Sequence, residues 1–202
     1  MIAVVDYGIG NLRSAAKAIA AAGGDAALVT DPDDLARAEG IVLPGVGSFG
    51  RCREALANSG MEATLRAQLE AGVPFLGICV GFQLLYQGSE ESPGVEGLGV
   101  FTGTVGRLAG EVKVPQMQWN TVALVEGRTS SLLADPPPSW FYFVHSFAAP
   151  LGAETVATCR YGDTVAALAE QGNVVGAQFH PEKSGAVGLR FLGRFVERCV
   201  VR

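Results

Sequence analysis

Cys79 stands at the centre of Gly77-Ile78-Cys79-Val80-Gly81, after the apolar run Val73-Pro74-Phe75-Leu76 and before Phe82-Gln83-Leu84-Leu85-Tyr86. This pattern predicts a strand, a tight turn with a thiol at its apex, and then a helix. Glycines two residues either side of the thiol let the chain turn where a Cβ would strike the flanking strand and helix. The Gly-x-Ser-x-Gly elbow of hydrolases has the same geometry, with oxygen in place of sulfur. At a helix start, the partial positive charge of the free N–H groups favours thiolate over thiol. Such a cysteine could be a nucleophile. A small cysteine buried in a glycine-rich turn would read the same way, so other residues must decide.

Gln178-Phe179-His180-Pro181-Glu182 follows a second apolar run. Residues two apart in extended chain point the same way, so His180 and Glu182 can converge on one site if Glu182 curls back to the imidazole. A thiol nucleophile benefits from an imidazole that takes its proton and later protonates a leaving amine. A carboxylate fixes the imidazole tautomer and steadies the imidazolium. His-Pro-Glu alone would equally suit a surface turn.

The elements that must position these groups alternate along the first half. Strands are expected at Ile2 to Asp6, Ala26 to Val29, Ile41 to Leu43 and the run into Cys79. Between them lie helices from Asn11 to Ala22, from Pro32 to about Ala38 with Asp31 as cap, from Arg51 to Asn58 and from Met61 to Ala71. Apolar strands separated by helices predict an α/β fold, a mostly parallel central sheet flanked by helices, with ligands at the carboxyl ends of the strands. Cys79, Gly8-Ile9-Gly10 and Gly45-Val46-Gly47 fall at such ends.

The second half is β-rich: Val100 to Val105, Thr121 to Val125, Trp140 to Val144, Thr155 to Arg160, Thr164 to Ala169 and Val174 to Phe179. Gly-Arg, Pro-Pro-Pro, Tyr-Gly-Asp and Gln-Gly-Asn break these runs. A smaller antiparallel extension of the sheet follows. Ser184 is expected to cap a last helix to about Val200, with Leu189, Leu192, Phe195, Val196 and Cys199 inward. Arg190, Arg194 and Arg198 form a row that reads as a solvated face. No linker or repeat divides residues 1–202, so one domain is expected, large enough to bury about 70 % of its unfolded surface.

Composition narrows the function classes. The formal charge of −5 gives no footprint for nucleic acid or an anionic membrane, and no apolar run approaches the ~20 residues of a membrane span. Met1-Ile2-Ala3-Val4-Val5-Asp6 lacks the basic start of a secretory signal. The four cysteines (Cys52, Cys79, Cys159 and Cys199) are scattered, which argues for reduced thiols in a cytoplasmic setting. Two distant histidines without cysteine pairs give no metal site. Pro44-Gly45-Val46-Gly47-Ser48-Phe49-Gly50 holds a formal Gly-x-Gly-x-x-Gly, but not after the first strand and without an acidic residue closing the next one. Glu70 lies in an expected helix, and nucleotide binding is discounted.

The elbow cysteine followed by His-x-Glu on an α/β pattern resembles the class I, triad-type glutamine amidotransferases, over essentially the whole chain. That likeness implies their flavodoxin-like fold, no cofactor, and hydrolysis of the glutamine side-chain amide to glutamate and ammonia. Cys79, His180 and Glu182 fall at the triad positions. By the same likeness Val46 or Gly47 joins Val80 in the oxyanion hole, where a backbone donor is worth ~3 kcal/mol. Gln83 faces the glutamine, and backbone groups of His145, Ser146 and Phe147 receive its α-carboxylate and amine end. His145 is the alternative base, although no carboxylate accompanies it. Tyr142 and Phe143 read as core alternation.

Asp6-Tyr7-Gly8-Ile9-Gly10-Asn11-Leu12, the Pro44–Gly50 loop and Phe141-Tyr142-Phe143-Val144-His145-Ser146-Phe147 look like the glutaminase subunits of imidazole glycerol phosphate synthase, in histidine biosynthesis. This narrower resemblance implies a heterodimer with a (β/α)8 cyclase subunit that takes the ammonia. Asn11, Trp119 and Lys183 fall at docking positions. Asn11 would also serve as a helix cap, Trp119 as a partly buried aromatic and Lys183 as a surface charge. Met117-Gln118-Trp119-Asn120 departs from the family's Met-Gly-Trp-Asn, and the lost glycine is expected to alter a turn beside the partner face. Flanking glycines would let the Gly45-Val46-Gly47 loop rotate a peptide when the partner binds. The alternatives are a glutaminase for another acceptor, as in pyridoxal 5′-phosphate synthase, a stand-alone cysteine γ-glutamyl hydrolase, or a non-catalytic module of the same fold.

Overall fold

The computed structural model describes residues 1–134 and 138–200. Five strands are parallel: β1 (Ile2–Val5), β2 (Ala26–Val29), β3 (Gly40–Gly45), β4 (Phe75–Cys79) and β12 (Val174–Ala177). Helices α1 (Leu12–Ala21), α2 (Pro32–Ala36), α3 (Phe49–Asn58), α4 (Glu62–Glu70) and the single turn α5 (Val80–Gln83) connect the first four strands and follow the fourth. The shorter pieces β5 (Gly88–Ser89), β6 (Thr104–Arg107) and β9 (Phe147–Ala148) make a small second sheet. The long strands β7 (Gln116–Leu124), β8 (Ser139–His145), β10 (Thr155–Tyr161) and β11 (Asp163–Gln171) complete the main one. A 3-10 turn at Pro181–Lys183 and helix α6 (Gly185–Val200) end the described chain.

The main sheet runs β2-β1-β3-β4-β12-β11-β10-β7-β8. Its antiparallel part has four strands against five parallel ones, which is larger than an appendage. The parallel strands are buried along their length, as continuous apolar runs require when helices cover both faces. Strand order reverses between β1 and β3, so a crevice opens at their carboxyl ends beside Gly8–Gly10 and Pro44–Gly47. The last parallel strand, β12, lies between β4 and β11. Its placement sets the chain after Ala177 beside Cys79.

Several expectations met local physics as anticipated. Asp31 caps α2 by accepting the Asp33 N–H at 2.8 Å, with Pro32 first in the helix. Gly162 and Gly172 turn the two hairpins around β11.

Others were changed by packing. Val100–Gly103 is loop, and the strand there is shifted to Thr104–Arg107. Strand β7 starts at Gln116, five residues earlier than expected, because it pairs with β8 along its whole run from Gln116↔His145 to Val122↔Ser139. Gln118 therefore lies in mid-strand opposite Phe143, and no turn exists there for a missing glycine to disturb.

The buried seam of α6 is Gly188, Phe191, Leu192, Phe195, Val196 and Cys199. Leu189 is one residue off that seam and is 38 % exposed. The arginine row is not simply solvated: Arg194 reaches the Leu132 carbonyl at 3.3 Å, while Arg198 reaches the Gly172 carbonyl and lies 3.6 Å from Glu170. Pro136 and Pro137 of the Pro-Pro-Pro signal lie outside the described residues.

Candidate active site

Cys79 ends β4 with φ +55° and ψ −110°, the single non-glycine residue of positive φ among the described residues. Such a conformation costs on the order of 1–3 kcal/mol and persists only where the surroundings hold it. The surroundings do: a Cβ at Gly81 would lie 1.8 Å from the Leu43 carbonyl oxygen, and one at Gly77 would lie 2.8 Å from that of Gly81. Only glycine fits on either side of the apex. The helix beyond is a single turn of four residues, too short for a sizeable dipole, so activation of the thiol falls to side chains.

Those side chains arrive on the neighbouring strand. Ala177 of β12 is in register with Ile78 of β4, and the chain bends at Gln178 and Phe179 before it reaches His180. The 3-10 turn then folds Glu182 back. His180 Nδ1 lies 2.8 Å from Glu182 Oε1, with the two side chains 1 % and 2 % exposed. Ser184 secures the turn: its hydroxyl donates to the His180 carbonyl (2.6 Å) and accepts the Tyr142 N–H (3.0 Å). The hydroxyl expected to cap α6 is thus used on the backbone of His180 and Tyr142 instead.

His180 Nε2 is buried and has no hydrogen-bond partner. Burial opposes a charged imidazole, but interaction with Cys79 and Glu182 outweighs it and pushes the His180 pKa up to about 10. The Cys79 thiol lies 3.8 Å from the Val144 carbonyl and 3.8 Å from the side-chain nitrogen of Gln178.

His145 cannot substitute as the base. Its Nδ1 lies 2.8 Å from the Phe147 carbonyl and its Nε2 lies 3.0 Å from the Gln116 side-chain amide. Burial holds its pKa down to about 4 despite the Phe147 bond, helped by the nearby His180. A neutral ring that donates from Nδ1 to a carbonyl needs a donor at Nε2, so Gln116 must turn its NH2 toward it.

A cavity of about 590 Å³ opens over the thiol. It is lined by Asn11, Val46, Gly47, Cys79, Val80, Gln83, His145, Ser146, Phe147, His180 and Lys183 among others, so the sequence-predicted groups come together here. Glu182 stands behind the imidazole, outside the lining. Trp119 lies outside it too, on the rim: its ring meets that of Tyr142 edge-on at 6.2 Å, and Lys183 Nζ sits 5.9 Å from the same Tyr142 ring. Phe143 is core as expected, whereas Tyr142 faces outward in this trio.

The loop after β3 is clamped from below. Tyr7 Oη donates to the Pro44 carbonyl at 2.6 Å, and Cys52 Sγ to the Val46 carbonyl at 3.3 Å. Burial pushes both pKa values up, so both groups keep their protons. A trans peptide points its N–H opposite its C=O, so the Gly47 N–H faces away from Cys52.

The family model for "Glutamine amidotransferase class-I" matches residues 3–198. The chain belongs to the class-I glutamine amidotransferases. Among relatives of this amidotransferase is the "Imidazole glycerol phosphate synthase subunit HisH" of Methanothermobacter thermautotrophicus. It is 47 % identical over 198 residues, 98 % of each chain. The protein of the same name from Thermus thermophilus is 46 % identical over 94 % of this chain and 93 % of its own. Two solved structures share the fold: a glutamine amidotransferase (TM-score 0.74, 24 % identity, 99 % of each chain), and PurLQS from Thermotoga maritima (TM-score 0.70, 23 % identity, 99 % and 96 %).

Sequence reasoning missed three residues of this amidotransferase site. Gln178 stands two before His180, but the chain bends at Gln178 and Phe179, so strand alternation does not place it at the site. Glu91 lines the cavity from a loop without pattern, and also accepts the Phe49 N–H at 2.8 Å. Gln116 became visible only through its partner His145. Gln83, expected to face the substrate, has its NH2 committed to the Phe147 carbonyl (2.8 Å) and Gln178 Oε1 (3.0 Å). Among the described residues no His, Cys, Asp or Glu side chains cluster as a metal site, and no helix is long and apolar enough to cross a membrane.

Proposed function

We infer that the chain works as one domain, the glutaminase subunit of imidazole glycerol phosphate synthase. It hydrolyses glutamine to glutamate and ammonia, and a separate (β/α)8 cyclase subunit consumes the ammonia. The observation that carries the chemistry is the buried, unpaired Nε2 of His180 in the cavity that holds the Cys79 thiol, with Glu182 locked on Nδ1. The identity of about one residue in two with HisH proteins over nearly full length supports the choice of acceptor.

Cys79 Sγ attacks the carboxamide carbon of glutamine. Oxygen gains charge as the carbonyl becomes tetrahedral, and the N–H of Val80 with that of Val46 or Gly47 holds it. The raised His180 pKa favours the imidazolium, so the ring takes up the proton released as the sulfur attacks. It then acts as an acid, protonating nitrogen as the C–N bond breaks and ammonia leaves. The neutral ring then takes a proton from water, the resulting hydroxide attacks the thioester, and the C–S bond breaks to give glutamate and restore Cys79. Glu91 offers a carboxylate to the α-ammonium of glutamine. Backbone groups of His145, Ser146 and Phe147 receive the α-carboxylate end.

Free ammonia protonates in water, so it is best delivered in a closed assembly. The cyclase uses the ammonia on phosphoribulosyl-formimino aminoimidazole carboxamide ribonucleotide, giving imidazole glycerol phosphate and aminoimidazole carboxamide ribonucleotide. Asn11, Trp119 and Lys183 dock the partner on the rim. Met117, 61 % exposed and in register with Val144, extends the same apolar edge.

Partner binding turns on the reaction by rotating the Gly45–Val46 peptide, which lies between the two carbonyls held by Tyr7 and Cys52. Glutamate release by wild type and Cys79→Ser, each with and without the cyclase and its nucleotide ligand, tests this reading. Turnover is expected only for wild type, and to rise when both partner and ligand are present. Equal turnover with and without them would remove the coupling, and activity in Cys79→Ser would remove the nucleophile.

A further inference from the structure

Gln178 is fully buried, and three hydrogen bonds define which way its amide faces. The Phe147 carbonyl can only accept, so the group that Gln83 points at it, 2.8 Å away, is the NH2. The other hydrogen of that NH2 meets Gln178 at 3.0 Å, which requires Gln178 to present its oxygen there. Its own NH2 is then left facing Cys79 Sγ at 3.8 Å. The reversed amide would set NH2 against NH2 and oxygen against the sulfur lone pairs.

The polarity is therefore fixed from a backbone carbonyl, through two glutamine side chains, to the nucleophile. The other neighbour of the sulfur, the Val144 carbonyl at 3.8 Å, serves only as an acceptor for the S–H and becomes repulsive once the proton leaves.

We propose that Gln178 is a catalytic residue of the glutaminase reaction: its side-chain N–H holds the Cys79 sulfur in the thiolate form, opposite the acceptor carbonyl of Val144. Gln83 and the Phe147 carbonyl act through it as positioning groups. No bond is made or broken at Gln178. A hydrogen bond to an ionised sulfur strengthens as charge develops and weakens when the thioester forms, so the amide favours the attacking species over the acylated one. The inference rests on Cys79 as nucleophile but not on the identity of the acceptor.

The test is alkylation of Cys79 by iodoacetamide as a function of pH, in the full chain without glutamine or partner, which separates it from the amide-hydrolysis reading. Exposure does not separate the cysteines, since Cys79 is itself 3 % exposed, but Cys79 lines the cavity and Cys52, Cys159 and Cys199 do not. Cys79→Ser gives the background. The other titratable groups around the sulfur are His180 backed by Glu182, Cys52 and Tyr7 under the loop, and Glu91, His145 and Lys183 about the cavity. None is altered by substitution at Gln178.

In Gln178→Met, which keeps the length of the side chain and loses the amide, the alkylation profile is expected to move up by about one pH unit. That is a roughly tenfold slower reaction at neutral pH, the size expected for a lost hydrogen bond to a charged group. In the complex, kcat for glutamine should fall by a similar factor with little change in KM. A profile superimposable on wild type in a folded Gln178→Met protein overturns the proposal, since a core-filling role would leave it unmoved. Should that variant not fold, the wild-type protein decides. The side-chain amide proton resonances of Gln178 must follow the Cys79 titration and lose that inflection after alkylation, and resonances indifferent to it overturn the proposal equally.

Discussion

Glu182→Gln keeps the size of the side chain and removes its charge. In the native protein the carboxylate holds Nδ1 at 2.8 Å with both partners buried, which leaves Nε2 to exchange protons with Cys79. The rise in the His180 pKa from 6.5 to about 10 corresponds, at ~1.4 kcal/mol per unit, to on the order of 5 kcal/mol in favour of the imidazolium. That preference is net of the burial that opposes it, and it is shared between Cys79 and Glu182. An equal split gives each about 2.5 kcal/mol, or roughly 60-fold in the preference for the imidazolium.

The amide adds a second loss, because it can present NH2 to Nδ1 and move the ring proton onto Nε2. A comparable change in a serine triad costs ~10⁴ in kcat. Glutamine turnover by the complexed protein is therefore expected to fall by roughly 10² to 10⁴ in kcat. KM should change little, since Glu182 does not line the cavity.

Stability provides an independent reading. The folded pKa lies above the unfolded one, so the contribution of His180 is complete below about pH 6.5 and disappears as pH rises through about 10. In the variant that decline should shift to lower pH, measurable as the urea midpoint against pH. A kcat within threefold of wild type, together with an unchanged midpoint profile, would refute the assigned role of Glu182.

Gly81→Ala should cost about 3 kcal/mol or more in denaturant unfolding, because its Cβ has no room beside the Leu43 carbonyl and backbone must shift. Gln118→Gly should lower stability by about 0.5–1 kcal/mol, since the position lies inside β7; unaltered stability would mean that β7 frays there. Trp119→Ala, which removes a 48 % exposed ring on the rim, should weaken cyclase binding at least tenfold by titration calorimetry, the size of an aromatic anchor. It should leave Cys79 alkylation unchanged, and equal affinity would place the partner elsewhere.

The parallel half of the fold was legible because buried strands and amphipathic helices write their period directly into the chain. The elbow was legible because only glycine tolerates the approach of Leu43 and Phe82 to positions 81 and 77. His180 and Glu182 could be paired from a two-residue spacing, although the 3-10 turn that joins them had no signal of its own beyond Pro181. What stayed hidden depended on cross-strand partners. Gln116 to Asn120 look like a polar turn until β8 pairs with them, and Tyr142 looks like core until Trp119 and Lys183 are seen on its outer face. Leu189 is apolar and sits on a helix, but it lies one position off the seam. Gln178 showed its role only when the obligate acceptor at Phe147 fixed the direction of two amides.

The strand that leads to His180 slots between one completed 79 residues into the chain and another that ends at Gln171. A polypeptide still emerging from the ribosome can therefore display its sulfur elbow while lacking the proton carrier. Insertion of that late strand into the middle of the sheet is the step that arms the thiol. Truncated or stalled products are accordingly expected to leave cellular glutamine untouched, without any separate inhibitor.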